Sequence, residues 1–173
     1  MISDSRFVII AGTARNVGKT TLISKIIKHQ SPQIEIITLK FISLKEGDKS
    51  HHHYTDSYLI IEETNPQSGK DTAKMLRAGA KRSFLITSQK NYIQEAIHAF
   101  RSLLSPDTLV LAESAHLRKY IKPYLFVVID RETVLERKGY IDSLISLADY
   151  LIDDVKDYSQ IAPILSIKKS YQK

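Results

Sequence analysis

The residues whose types and spacing carry the clearest chemistry are Gly12-Thr13-Ala14-Arg15-Asn16-Val17-Gly18-Lys19-Thr20-Thr21. A short apolar run, Phe7 to Ala11, precedes them, and an amphipathic helical period opens at Leu22. Small residues let successive backbone N–H groups curl around a polyphosphate, and the start of a helix adds partial positive charge. In that setting Lys19 can reach β- and γ-phosphates, and the Thr20 hydroxyl can ligate Mg²⁺. The whole run from Gly12 to Thr21 is therefore expected to line the ligand. Its spacing departs from the common phosphate-binding pattern. Five residues rather than the usual four separate Gly12 and Gly18, and Thr13 stands where the first glycine normally falls. A glycine-containing turn with a chance Gly-Lys-Thr is the alternative reading.

Ligands of open α/β sheets bind beyond the C-terminal ends of the strands, and that rule sorts the acids. Glu113 ends the run Leu109-Val110-Leu111-Ala112 and falls on the right edge. A carboxylate there can hold Mg²⁺, directly or through water, or orient an attacking group; a solvated strand-end charge is the plain alternative. Asp107 precedes the same run and falls on the wrong edge. Asp130, after Phe126-Val127-Val128-Ile129, either joins the site or caps the turn into Glu132-Thr133. Lys40 lies near the end of the second strand and faces either a phosphate or solvent. Arg15, inside the loop, is placed to act on its own or a neighbouring subunit's nucleotide. No Asn-Lys-x-Asp occurs, so the residues leave the base open.

Two further groups have open readings. His51-His52-His53 could bind a transition metal, face a phosphate or substrate from a loop, or be solvated, since adjacent side chains of an extended chain rarely converge on one ion. Lys70 and Asp71 could serve the ligand or a subunit contact, or simply start a helix with Asp71 as its N-cap.

These residues need a scaffold, and the apolar pattern supplies one. Short β-rich runs fall at Phe7–Ala11, Ile34–Phe41, Tyr58–Ile61, Ser83–Thr87, Thr108–Ala112 and Tyr124–Ile129. Several are continuous apolar blocks, as expected of strands covered on both faces. Helical stripes lie between them: Leu22, Ile23, Ile26 and Ile27, stopped at Ser31-Pro32; Ile93, Ala96, Ile97, Phe100 and Leu104; and Ile141, Leu144, Ile145 and Ala148. A shorter helix runs from Asp71 to a Gly79 C-cap. Alternating strands and helices predict βαβ units in an α/β fold, with a mainly parallel sheet between helical layers. The polar Ser43–Ser57 stretch is long for a connection and reads as an excursion with its own role.

Composition sets the outer bounds. The chain has 173 residues, 43% hydrophobic and 25% charged, ordinary usage for one globular domain, expected to span 1–173. The absence of cysteine excludes a disulfide framework, thiolate zinc sites and a cysteine nucleophile. The only apolar run near the N-terminus is too brief for a signal-peptide core or a spanning helix, so a cytoplasmic protein without a membrane partner is expected. The net charge of +6 sits in the first half: residues 15–49 and 66–90 are basic, whereas 107–160 are acidic on balance. Aromatics are not interleaved with it as a single-strand-binding platform needs, so the excess points to an anionic ligand rather than nucleic acid.

The loop Gly-Thr-x-x-x-Val-Gly-Lys-Thr resembles that of dethiobiotin synthetases and cobyrinic acid amide synthetases. These belong to the branch of P-loop NTPases that also holds the signal-recognition GTPases and the ParA/MinD ATPases. Many ParA/MinD members carry a signature lysine where this chain has Ala14. A second block, Ser68-Gly69-Lys70-Asp71-Thr72-Ala73-Lys74-Met75-Leu76-Arg77-Ala78-Gly79-Ala80, resembles a segment of the molybdopterin-guanine dinucleotide biosynthesis protein B family. Leu109 to Glu113 is similar to that family's Walker B strand, and the resemblance runs in order over about residues 6 to 130. It departs in three places: Ser114 replaces the glycine after the acid, Phe41-Ile42-Ser43 replaces histidines, and the loop has a different middle. The resemblance implies a three-layer P-loop NTPase fold, GTP binding, Mg²⁺ on Thr20 and Glu113, and slow hydrolysis. It also implies a homodimer assisting molybdenum-cofactor nucleotide attachment with a cofactor-biosynthesis partner protein. The synthetase-like loop implies instead an ATP-dependent small-molecule ligase. A regulatory nucleotide binder with little catalysis is the third reading.

Overall fold

The computed structural model describes residues 1–30, 34–44, 57–131 and 142–165. Its strands are β1 (Ile2–Gly12), β2 (Ile36–Leu44), β3 (Tyr58–Glu62), β4 (Arg82–Gln89), β5 (Leu109–Glu113), β6 (Ile121–Ile129) and β7 (Tyr150–Ile152). They form one sheet in the order β3-β4-β2-β5-β1-β6-β7. All neighbours run parallel except β3, which pairs antiparallel with β4. The helices are α1 (Lys19–Gln30), α2 (Asp71–Ala78), α3 (Ile93–Arg101), α4 (Asp142–Ile145) and α5 (Tyr158–Leu165). This is the three-layer α/β arrangement with a mainly parallel sheet that the alternation of strands and helices predicts. Among the described residues no helix is long and apolar enough to cross a membrane.

The continuous apolar blocks are explained by burial on both faces. In β1, Val8 and Ile10 enter one core with Leu22, Ile23, Ile26 and Ile27 of α1, Met75 of α2, and Ile161 and Ile164 of α5. Phe7, Ile9 and Ala11 enter the other with Ile93, Ile97 and Phe100 of α3 and Leu144 of α4. All five of these β1 residues are wholly inaccessible to solvent. Burying each large side chain contributes about 1.5–3 kcal/mol. Phe100 is met edge-on by Phe7 and Phe84, with ring centroids 6.4 and 5.3 Å away. The helical stripes thus fix which layer each helix joins.

Where the structure differs from the expected elements, polar contacts account for it. β1 begins at Ile2, not Phe7, because Asp4 turns inward. Its carboxylate accepts hydrogen bonds from Arg6 Nη2 at 2.8 Å and Arg101 Nε at 2.7 Å, so an acidic residue sits in a strand interior. Burial pushes the Asp4 carboxyl up, but the two guanidinium groups outweigh it and hold the group below the ordinary aspartate value. α4 is a single turn rather than the predicted stripe, of which Ile141 lies outside the described residues. Its end is stitched to β6: the Asp149 carboxylate accepts from the Phe126 N–H at 2.7 Å, and the Asp149 N–H donates to Phe126 O at 2.9 Å. β7 and α5 were not expected from the sequence pattern.

Candidate functional site

The chain leaves β1 at its C-terminal edge and turns through Thr13–Gly18 into α1. Thr13 anchors the turn: its N–H donates to Ile129 O at 3.0 Å and its hydroxyl to the same carbonyl at 3.4 Å. That bond explains how a threonine serves where a glycine is usual, since its side chain is fully buried against β6. The glycine requirement falls one residue earlier. A Cβ on Gly12 would lie 2.5 Å from Val17 Cγ2, because Val17 folds back beneath the loop with no exposed surface. The extra residue of this loop is absorbed by two left-handed positions, Asn16 at φ 58° and Gly18 at φ 106°. The Leu22 N–H then donates to Gly18 O at 2.9 Å and opens α1.

The candidate side chains gather around this turn. Lys19 arches over it, its Nζ donating to Ala14 O at 3.1 Å, while Ala14 is buried and Arg15, Asn16 and Thr21 face solvent. Thr20 donates its hydroxyl to Glu113 Oε2 at 2.9 Å. The sheet register brings that carboxylate there: Glu113 stands beside Ile10 of β1 and Lys40 of β2. Glu113 is therefore not a solvated strand end; only 9% of it is exposed. Ser114, in place of the resembled glycine, has local work instead. Its N–H donates to Ile10 O at 3.2 Å and its Oγ accepts from the Leu117 N–H at 3.4 Å, opening the helical turn His116–Lys119.

The second block supplies the opposite wall. Asp71 is not the N-cap that its position suggests; Lys70 holds that place and Asp71 is the first helical residue. The Asp71 carboxylate turns to cations instead, forming an ion pair with Lys40 through Oδ2 and with Lys74 through Oδ1 at 2.9 Å. Burial raises its pKa, but the hydrogen bonds from Lys40 and Lys74 outweigh that and hold it below the ordinary range. The rest of the block is structural. Thr72 Oγ1 donates to Glu63 at 3.1 Å, Arg77 binds the carbonyls of Pro66 and Ser68, and Gly79 ends α2 at φ 114°. Gly69 has nothing near its Cα that a side chain would meet, so packing within the chain does not require it.

One cleft of about 970 Å³ joins these groups. Arg15, Lys19, Lys25, Lys28, Lys40 and Lys74 line it against two carboxylates, Glu113 and Asp71. Of the expected run Gly12–Thr21, Arg15, Asn16, Gly18, Lys19, Thr20 and Thr21 line the cleft, whereas Gly12, Thr13, Ala14 and Val17 are buried and do not; Lys40 and Glu113 line it as expected, and Lys25, Lys28 and Lys74 were missed. Thr21, Lys25 and Lys28 recur at helical spacing along one flank of α1, a signal the apolar stripe on its other flank overshadows. Val155 was also missed. It packs under Gly18, where a Cβ would meet its Cγ2 at 2.8 Å, and its carbonyl accepts from Lys25 Nζ at 2.7 Å. No sequence signal marks it.

The oxygen atoms of Thr20 and Glu113 are hard donors suited to Mg²⁺. Among the described residues no three His, Cys, Asp or Glu side chains cluster to cage a metal ion. One hydroxyl and one carboxylate match a cation that keeps several waters and shares a phosphate ligand. Asp107 is exposed at the opposite edge, as expected. Asp130 follows β6, its N–H donating to Ile152 O at 2.8 Å, and does not line the cleft; the turn into Glu132-Thr133 that was its other reading, and His51 to His53, lie outside the described residues. No known protein family, curated protein or solved structure matches the chain.

Proposed function

We propose that the chain is a Mg²⁺-dependent nucleotide-binding protein of the P-loop type with slow hydrolysis. The observation that carries this reading is the 2.9 Å bond from Thr20 at the start of α1 to Glu113 at the end of β5, with Lys19 over the turn between. A hydroxyl and a carboxylate brought together at a helix N-terminus set hard oxygen donors beside unpaired amides and a lysine, which suits a polyphosphate and its cation.

In this reading the amides at the start of α1, which have no intrahelical acceptor, donate to phosphate oxygens. Lys19 leaves the Ala14 carbonyl for the β- and γ-phosphates and neutralises charge there. Mg²⁺, held by Thr20 and Glu113, would supply further charge neutralisation on the terminal phosphates. Glu113 fixes the Thr20 hydroxyl and, through its burial, keeps that orientation. Arg15, exposed, is the arginine of the cleft wall among the described residues, and in this reading it acts on this or a neighbouring subunit's nucleotide. The resemblance of the Ser68–Ala80 block favours GTP, a homodimer and a role assisting molybdenum-cofactor guanine dinucleotide synthesis.

Titration with GTP and ATP in the presence of Mg²⁺ tests the proposal, with Lys19→Ala as control. Binding of at least one nucleotide, weakened about tenfold or more by the substitution, is expected, a tenfold change being about 1.4 kcal/mol. Binding of neither would overturn it. ATP preference, with turnover appearing only when a carboxylate-bearing metabolite is added, would move the assignment to a ligase.

A further inference from the structure

We infer that Lys40 distinguishes a triphosphate from a diphosphate in this cleft, and that Asp71 positions it by holding its ammonium group until a third phosphate replaces the carboxylate. The inference rests on the nucleotide reading above and adds a specificity residue and its partner.

Register places Lys40 beside Glu113 on the adjacent strand, and registered neighbours of a parallel pair share a face of the sheet. Lys40 therefore leaves the sheet on the side of α1, where Glu113 meets Thr20. Loop amides and Lys19 suffice for two phosphates. A third would extend past Thr20 into the part of the cleft walled by Lys40, Ile42, Asp71 and Lys74. There the Asp71 carboxylate would face it, and two anions close together repel. Lys40 can resolve that conflict by changing partners.

The two oxygens of Asp71 make the exchange possible. Oδ2 holds Lys40 and Oδ1 holds Lys74. When Lys40 leaves, Lys74 still neutralises the carboxylate, so no charge is stranded. Lys40 and Asp71 are each about a quarter exposed, at 28% and 27% of the side chain, so an incoming anion reaches the pair. The position of Asp71 in the first turn of α2 also suits a carboxylate, whether or not Lys40 is attached.

The test compares GTP with GDP, and tripolyphosphate with pyrophosphate, on the full chain and its variants. Lys40→Met should weaken GTP and tripolyphosphate about tenfold while changing GDP and pyrophosphate less than about twofold, the loss expected of one charge-assisted hydrogen bond. Lys40→Arg should restore most of the difference, and a thermal melt of each variant separates lost binding from lost folding. Asp71→Asn should tighten GTP by about threefold or more, and that gain should vanish in the Lys40→Met background, because positioning acts through Lys40. Equal weakening of di- and triphosphate by Lys40→Met, or none, would overturn the inference. A gain from Asp71→Asn that survives without Lys40 would overturn the role of Asp71. If neither GTP nor ATP binds but tripolyphosphate does so through Lys40, the nucleotide reading falls and this inference stands. If no phosphate compound binds, both fall.

Discussion

Replacing Gly12 with alanine tests the packing that shapes the loop. The added Cβ would lie 2.5 Å from Val17 Cγ2, where ordinary carbon contacts are about 3.5–4.0 Å. About 1 Å of relief is needed, and neither partner has room to give it. Val17 is wholly buried among the α1 residues, and the Gly12 backbone is locked in the ladder to β6. Overpacking of this kind costs about 1–3 kcal/mol. For a chain of this length each kcal/mol lowers the melting temperature by about 2–4 °C. Urea unfolding followed by far-ultraviolet circular dichroism is the assay, because the chain has no tryptophan. The decisive protein is the double variant Gly12→Ala with Val17→Ala, which removes the clashing methyl. Its loss should be nearly that of Val17→Ala alone, a coupling of about 1–2 kcal/mol. An unchanged midpoint for Gly12→Ala, or strictly additive losses, would refute the proposed contact and with it the shape of the turn.

Two other outcomes follow from the contacts described. Asp4 has its folded pKa depressed by Arg6 and Arg101, so the stability it contributes is present above the unfolded value near 4 and is lost as pH falls through the lower folded value. Asp4→Asn should cost about 1–3 kcal/mol at pH 7 and should flatten the acid limb of stability against pH, which urea midpoints from pH 7 to 2.5 would read. Thr20→Val keeps the shape of the side chain and removes the hydroxyl that meets Glu113. It should abolish most of the tightening that Mg²⁺ gives to nucleotide binding, whereas Thr20→Ser keeps it; an equal Mg²⁺ effect in both variants would contradict the assignment of Thr20.

The elements legible in the sequence are those whose burial leaves a periodic trace. Phe7 to Ala11 reads as a doubly covered strand because two helical layers need both of its faces. Leu22 to Ile27 reads as a helix because one flank is apolar and the other carries cations. What is illegible depends on contacts remote in sequence. Residues 2 to 6 extend β1 beyond its apolar run, and the Asp4 carboxylate within them is held by Arg6 and by Arg101, far along the chain. β7 has three residues, too few to show a period, and Leu151 is exposed. Asp71 looks like a cap because local rules reward aspartate before a helix. Its carboxylate instead pairs with Lys40, 31 positions away, and Lys70 takes the N-cap position. The site follows the same division. The loop is a local pattern and could be read, but the link from Thr20 to Glu113 is fixed by the order β5-β1 and the link from Lys40 to Asp71 by the order β4-β2, neither of which composition contains.

The distribution of charge is settled at the same level. In the sequence, residues 15–49 carry +4 and residues 66–90 carry +5, offset by −3 over residues 107–160. The fold brings members of both basic segments to one concave surface: Arg15, Lys19, Lys25, Lys28 and Lys40 from the first, Lys74 from the second. A cleft with low-dielectric walls focuses the field of such a group, so its cations act together on a small anion more strongly than scattered surface lysines do. Among the described residues Asp71 and Glu113 are the carboxylates lining it, and both are engaged, one by two lysines and one by a threonine. Each carboxylate thus orders a neighbour that would otherwise be free to move. A cleft with six cations and no acids would bind any polyanion loosely; two acids, each tied to a particular partner, give the same charge a defined geometry. In the proposed reading, electrostatic attraction would supply affinity for a polyphosphate, and the placement of Glu113 and Asp71 would select among such anions.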